Sequence, residues 1–92
     1  MADVIMTVKI MPESPEVHLE DLKEDIEKKV RAFAGKSAVK FEKEPIAFGL
    51  TALKVLFATK ESNSNTDKLE ESLRSIDGIS SAEVIDVRRA FG

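Results

Sequence analysis

The sequence predicts an α+β fold: a ferredoxin-like βαββαβ sandwich, with a four-stranded antiparallel sheet and two helices on one face. Three observations lead to this prediction. Three segments alternate apolar and polar residues with the period of two that marks a half-buried strand, and a fourth segment near the C-terminus also fits a strand. Two further segments repeat apolar residues every three or four positions, as one face of an amphipathic helix does. Along the chain these segments run strand, helix, strand, strand, helix, strand.

The first half of the chain supplies two strands and a helix. Residues 3–11 form the first predicted strand, and a proline-containing break then separates it from the first helix, which Gly35 ends as a C-cap. A second strand is predicted over residues 37–45. Pro45 cannot donate to a ladder, so we expect this strand at an edge of the sheet. The apolar sides of these three elements are Val4, Met6, Val8 and Ile10, then Leu19, Leu22, Ile26, Val30 and Phe33, then Val39 and Phe41.

The second half completes the pattern. A third strand is predicted over residues 50–59, and a polar stretch at 61–66 offers N-capping side chains to a second helix that Asp77 and Gly78 end. The last strand is predicted from Ile79 to Val87, with Val87 as its last core residue. We expect one shared core that contains Leu22, Ile26, Val30, Leu53, Val55, Phe57, Leu69 and Leu73.

Composition restricts the classes of protein to which the chain can belong. Its 92 residues suit a single domain over 1–92, and 42% hydrophobic with 34% charged residues is typical of a globular protein. A net charge of −3 disfavours general binding to phosphate backbones. There is neither an apolar run long enough to span a bilayer nor the pattern of a signal peptide, so we expect a cytoplasmic protein without a membrane partner. We also expect a monomer that does not contact nucleic acid directly.

Residues suited to catalysis are scarce. The chain has one histidine and no cysteine, and it lacks a glycine-rich phosphate loop, so we expect neither enzymatic chemistry nor a cofactor or metal. His18 is interpreted as an exposed residue near the helix start. The acidic residues of the first helix are interpreted as a solvated outer face that favours the helix dipole; they are Glu20, Asp21, Glu24, Asp25 and Glu27.

The fold alone leaves other functions open. RNA-binding domains of this fold stack bases on aromatic side chains of the open sheet face, and the residues assigned to that face here include no aromatic. They are Ile5, Thr7, Lys9, Lys40, Glu42, Lys54 and Leu56. The main alternative is a regulatory module that binds a small ligand and self-associates through its sheet edges.

Three segments resemble the elongation factor 1-beta family, and in particular its short archaeal members. They are Met-Pro-Glu-Ser-Pro at residues 11–15, Glu-Pro-Ile-Ala-Phe-Gly-Leu at 44–50 and Val-Ile-Asp-Val-Arg-Arg at 84–89. Together they extend over nearly the whole chain. The resemblance implies a guanine nucleotide exchange factor that binds the GTPase elongation factor 1-alpha in its GDP-bound and nucleotide-free forms and promotes GDP release.

The resemblance also implies which residues contact the GTPase. Relatives present an aromatic residue followed by glycine at the connection between strands two and three, which matches Phe48, Gly49 and Leu50. Longer eukaryotic relatives carry a lysine near the C-terminus that reaches the Mg²⁺ and phosphate site of the partner. Here the comparable stretch offers Arg88 and Arg89. From the residues alone, Phe48 fits a core position as well as a contact.

Overall fold

The structure, a computed structural model, describes residues 3–35, 38–60 and 66–89 of the chain. The order of its elements confirms the predicted βαββαβ arrangement. Of the predicted features, residue 37 of the second strand and residues 61–65 of the capping stretch lie outside the described residues. The elements are β1 (Asp3–Pro12), α1 (Leu19–Ala34), β2 (Val39–Pro45), a tight turn (Ala47–Gly49), β3 (Thr51–Lys60), α2 (Thr66–Arg74) and β4 (Ile79–Arg89).

The four strands form one sheet in the order β2-β3-β1-β4, and every neighbouring pair is antiparallel. The predicted edge position of β2 is therefore confirmed, and β4 forms the opposite edge. The register pairs Ile10 of β1 with Leu53 of β3, and Val4 of β1 with Arg89 of β4. The connection between β2 and β3 thus lies at one end of the sheet, and the last residues of β4 lie at the other.

The core lies between the sheet and the two helices. Alternate residues of β1 face it because successive side chains of a strand point to opposite faces. All predicted core residues belong to this cluster, with Leu22 only partly buried at its margin. The rings of Phe33 and Phe57 meet edge to face with centroids 6.3 Å apart. The buried cluster comprises Val4, Met6, Val8, Ile10, Leu19, Ile26, Val30, Leu53, Val55, Phe57, Leu69, Leu73, Ile76, Ile79 and Ala82.

Helix α1 ends where the sequence predicts. Gly35 has a φ of 81°, a conformation in which glycine carries no Cβ penalty, and its N–H donates to the carbonyl oxygen of Arg31 at 2.8 Å. On its outer face, acidic residues pair with basic ones one turn later, as Glu24 does with Lys28 and Glu27 with Arg31. Of the helices in the described part of the chain, none is long and apolar enough to cross a membrane.

The prediction for the end of the last strand was wrong. β4 continues through Arg88 and Arg89, and Val87 is 51% exposed instead of being a core residue. The physical reason is the short second helix. The nine residues of α2 reach about 14 Å, whereas the eleven residues of β4 extend over about 36 Å. Helix α2 therefore covers only the first half of β4, and the second half projects beyond it.

Candidate functional site

The connection between β2 and β3 is a tight turn formed by residues 47–50, called here the Phe48 turn. Phe48 has a φ of 64° and Gly49 a φ of 74°. The N–H of Leu50 donates to the carbonyl oxygen of Ala47 at 3.3 Å. A hydrogen bond between residues three apart, with positive φ at both residues between them, is the signature of a type I′ turn. Such a turn favours asparagine or glycine at its first central position. Phenylalanine there is strained.

Phe48 lies outside the core. Its side chain is 92% exposed, the largest exposure of any large hydrophobic residue that the structure describes. Gly49 is exposed and Leu50 half-buried. A phenylalanine that is both strained and exposed contributes nothing evident to folding, and such strain is found where a function requires it. A contact between Phe48 and a partner stays a prediction.

The Phe48 turn is anchored on the helix side of the sheet by ion pairs. Lys43, near the end of β2, reaches Glu20 in the first turn of α1 at 2.5 Å, and Lys23 reaches the same carboxylate at 3.0 Å. Hydrogen bonds from Lys43 and, second, from Lys23 lower the pKa of the Glu20 carboxyl below its ordinary value. The ammonium of Lys23 also lies 5.5 Å from the centre of the Phe41 ring. These contacts connect the base of the turn to α1.

On the other face of the sheet, Glu44 anchors the same segment. Its Oε2 lies 3.5 Å from the Nζ of Lys54 and 3.9 Å from the Nζ of Lys9. Lys9 and Lys54 are directly opposite each other across β1 and β3, an arrangement of like charges that is unfavourable by itself. The Glu44 carboxylate compensates for it. Residues 43 and 44 therefore hold the end of β2 from both faces.

The second predicted contact lies at the end of β4. Arg88 is opposite Ile5 of β1 and Arg89 is opposite Val4. Val4 is buried against the helices and Ile5 is on the open face, so the two arginines project from opposite faces of the sheet. The Nε of Arg88 lies 2.9 Å from a carboxylate oxygen of Asp86, and its side chain is 80% exposed.

The structure does not bring the two predicted contacts together. Arg88 is level with Ile5 and hence with Ala58 of β3, whereas β3 begins beside the Phe48 turn at Thr51. Ala58 is seven residues along the strand from Thr51, which corresponds to about 23 Å. The Phe48 turn and Arg88 are therefore at opposite ends of the sheet. Any single partner that contacts both must be large enough to extend across it.

The open face of the sheet fits the expectation that it lacks aromatic side chains, for the residues that the structure describes. Four of its cations have a carboxylate within 4 Å: Lys40, Arg88, and Lys9 with Lys54, which share that of Glu44. A polyanion needs a cluster of uncompensated cations. The face consequently offers nothing typical of an RNA-binding sheet.

The remaining candidates carry no evident chemistry. His18 is exposed and occupies the N-cap position of α1, but its side chain makes no capping hydrogen bond. It borders a shallow pocket of about 220 Å³ between the loop after β1 and the Phe48 turn. Among the described residues, no three potential metal ligands lie together. Three of the acidic residues of α1, Glu20, Glu24 and Glu27, pair with lysine or arginine, as on a solvated face.

Two exposed aliphatic residues were missed by the sequence reasoning. Ile85 and Val87 lie on the part of β4 that α2 leaves uncovered. Glu70 of α2 accepts a hydrogen bond from the N–H of Val84 at 2.8 Å, just before this exposed part begins. A strand predicted to be longer than its covering helix is the signal that would have revealed them.

Comparisons with known proteins agree with the resemblance found in the sequence. A family profile described as the EF-1 guanine nucleotide exchange domain matches residues 5–90. A protein named elongation factor 1-beta from Methanothermobacter thermautotrophicus is 47% identical over 89 residues, which cover 97% of this chain and 98% of the relative. Its namesake from Sulfurisphaera tokodaii is 47% identical over 90 residues, which cover 97% of each. Both match almost from end to end.

Membership in this family supports a nucleotide exchange role in translation elongation. The matched residues include the whole Phe48 turn and both arginines of β4. The chain therefore belongs to the elongation factor 1-beta family of guanine nucleotide exchange proteins.

Proposed function

We propose that this protein binds the GTPase elongation factor 1-alpha, promotes release of its GDP and leaves it free to load GTP. The observation that carries the proposal is the exchange-domain match, which includes nearly every described residue. The protein makes and breaks no bond in this role. It acts in the cytoplasm as a monomer, without direct contact to nucleic acid or membrane.

The two contacts have different roles in the proposed mechanism. The Phe48 turn, with Phe48 at its tip and Gly49 and Leu50 completing it, anchors the factor on the GTPase through a large exposed ring. The arginines at the end of β4 act on the nucleotide site. Because these contacts are about 23 Å or more apart along the strands, they engage two separate regions of the GTPase.

The action of the arginines follows from electrostatics. A GTPase holds Mg²⁺ between carboxylate or hydroxyl ligands and the nucleotide phosphates. A guanidinium that enters this site repels the metal and takes over hydrogen bonds to its oxygen ligands. Loss of the metal removes charge compensation from the phosphates, and GDP dissociates.

Thermodynamic linkage limits how the factor can work. A factor that binds the empty GTPase more tightly than the GDP-bound one lowers the affinity of the GTPase for GDP, and GDP weakens the binding of the factor by the same ratio. Competition between the arginines and Mg²⁺ for one site produces this ratio. The Phe48 turn contributes equally to both complexes and keeps the factor bound while GDP leaves.

The function is tested by following fluorescent GDP as it leaves purified elongation factor 1-alpha in excess unlabelled GTP. We expect the release rate to rise with the concentration of this protein until it saturates. A rate that stays at the unassisted value at every concentration would contradict the proposal. Self-association together with a ligand-dependent melting temperature would favour the regulatory module instead.

The mechanism is tested by the variant with both Arg88→Ala and Arg89→Ala. At saturating factor in millimolar Mg²⁺, we expect its GDP release to be at least about tenfold slower than wild type, or about 1.4 kcal/mol. A chelator should speed release by itself and reduce this difference, because the metal has already been removed. Equal rates for both proteins in Mg²⁺ would remove the arginines from the mechanism.

A further inference from the structure

We infer that the open face of the sheet, the face not covered by α1 and α2, lies against the GTPase in the exchange complex. The inference rests on the proposed function and adds the surface between its two contacts. Of the two arginines at the end of β4, Arg88 is the one that projects from this face.

The positions of the two contacts lead to this surface. The Phe48 turn connects β2 and β3 at one end of the sheet, while Arg88 lies on the opposite edge strand at the other end. A line between them crosses the sheet diagonally. On the helix side that line is blocked by a layer of helices about 10 Å thick, which would hold a partner away from the sheet between the two contacts. On the open side, none of the described elements stands in the way.

The area that a specific complex must bury also favours the open face. Stable interfaces bury about 800 Å² on each partner. One aromatic ring buries about 150–250 Å², so the Phe48 turn and Arg88 alone fall well short. The open face supplies most of the missing area, since four strands about 4.8 Å apart over about 23 Å present a surface of roughly 400 Å² before side-chain relief is counted.

The chemistry of the open face suits a protein partner. One row of the register runs across all four strands through Glu42, Lys54, Lys9 and Glu83. Near Arg88 the face also exposes Ile5 to 41%. A row that carries charges of both signs can be matched by complementary charges on a partner. Because the charges cancel, they select a partner through short-range pairing and contribute little long-range attraction.

The absence of cysteine from the sequence makes a clean footprinting experiment possible. Each variant carries one thiol: Lys54→Cys at the centre of the open face, Lys40→Cys at its margin, or Lys28→Cys on the outer side of α1. Lys28 is the matched control for Lys40, because the two side chains are 71% and 73% exposed and each lies 3.7 Å from a glutamate. A maleimide carrying polyethylene glycol then modifies each thiol with or without nucleotide-free elongation factor 1-alpha. Modification is read as the mass of this chain.

At saturating GTPase we expect modification to slow about tenfold or more at Lys54→Cys and Lys40→Cys and to change less than about twofold at Lys28→Cys, because interface cores exclude solvent. Protection at Lys28→Cys, or none at the two open-face positions, would overturn the inference. GDP release from GDP-loaded elongation factor 1-alpha, measured with the same variants, separates the two failures. Accelerated release without open-face protection refutes this surface alone, whereas no acceleration refutes the proposed function as well.

Discussion

Replacement of Phe48 by asparagine should make the protein more stable and a weaker exchange factor. Phe48 holds a φ of 64° at the tip of the turn, where its ring is 92% exposed. A residue other than glycine or asparagine in this conformation costs about 1–2 kcal/mol. Asparagine tolerates it and is preferred at this position of a type I′ turn. Since the ring has almost no packing to lose, relief of strain should dominate.

The expected gain is about 0.5–1 kcal/mol in the free energy of unfolding, somewhat less than the full strain because asparagine retains part of it. For a domain of this size, that corresponds to a rise in melting temperature of roughly 2–8 °C. Phe48→Ala is the matched control. It removes the ring but keeps the strain, and its stability should stay within about 0.5 kcal/mol of wild type.

Both variants should bind nucleotide-free elongation factor 1-alpha at least about fivefold more weakly, a loss of about 1 kcal/mol. Urea unfolding gives the stability, and the concentration for half-maximal GDP release gives the binding. Destabilisation of both variants by more than about 1 kcal/mol would show that the ring packs in the folded protein. Unchanged half-maximal concentrations would show that Phe48 touches no partner.

Three further predictions concern the fold. Val55→Ala should cost about 2–5 kcal/mol in urea unfolding, because its fully buried side chain leaves a cavity; a loss below about 0.5 kcal/mol would contradict its place in the core. The pKa of the Glu20 carboxyl should lie below its ordinary value when measured by NMR, and Lys43→Gln should raise it. The ion pairs of Glu20 then stabilise the protein at pH values above the ordinary pKa of glutamate, and this stabilisation is lost as the pH falls through the lowered pKa. An ordinary pKa for Glu20 in the wild type would refute the pairing. A chain ending at Val87 should be less stable than one ending at Arg89 by about 1–2 kcal/mol, since two residues of the strand ladder are lost; equal stability would contradict their pairing with β1.

Periodicity predicts most of the fold because burial determines it. The alternation in β1 and the spacing of the stripe from Leu19 to Phe33 require one buried side each, and the structure buries those sides. Pro45 indicates an edge because it lacks a donor, and β2 is an edge strand. These inferences depend on one element at a time, which is why the sequence suffices for them.

The end of β4 shows where such reasoning fails. A bulge lies where Thr7 pairs with Asp86 and Val8 with Val84, so Ile85 has no partner of its own. The bulge reverses the alternation beyond it and places Asp86 and Arg88 on the open face. No pattern in the sequence marks the bulge. The exposure of Val87 depends in addition on the length of α2, which belongs to another element.

The candidate site could be predicted in part. The resemblance selected Phe48, but its exposure depends on the positive φ of the turn, which the sequence left undecided between core and contact. Opposite faces for Arg88 and Arg89 follow from strand pairing, which was not expected to reach them. The contribution of these residues to exchange stays a prediction.

The affinity of this protein for elongation factor 1-alpha, with and without GDP, tests the proposed exchange mechanism most directly. It can be measured by titration of a fluorescent label on this chain in millimolar Mg²⁺. The mechanism predicts tighter binding to the empty GTPase than to the GDP-bound form, with a ratio equal to the factor by which this protein weakens GDP binding. Equal affinities for the two forms would contradict it, because a ligand that binds two states equally well shifts neither.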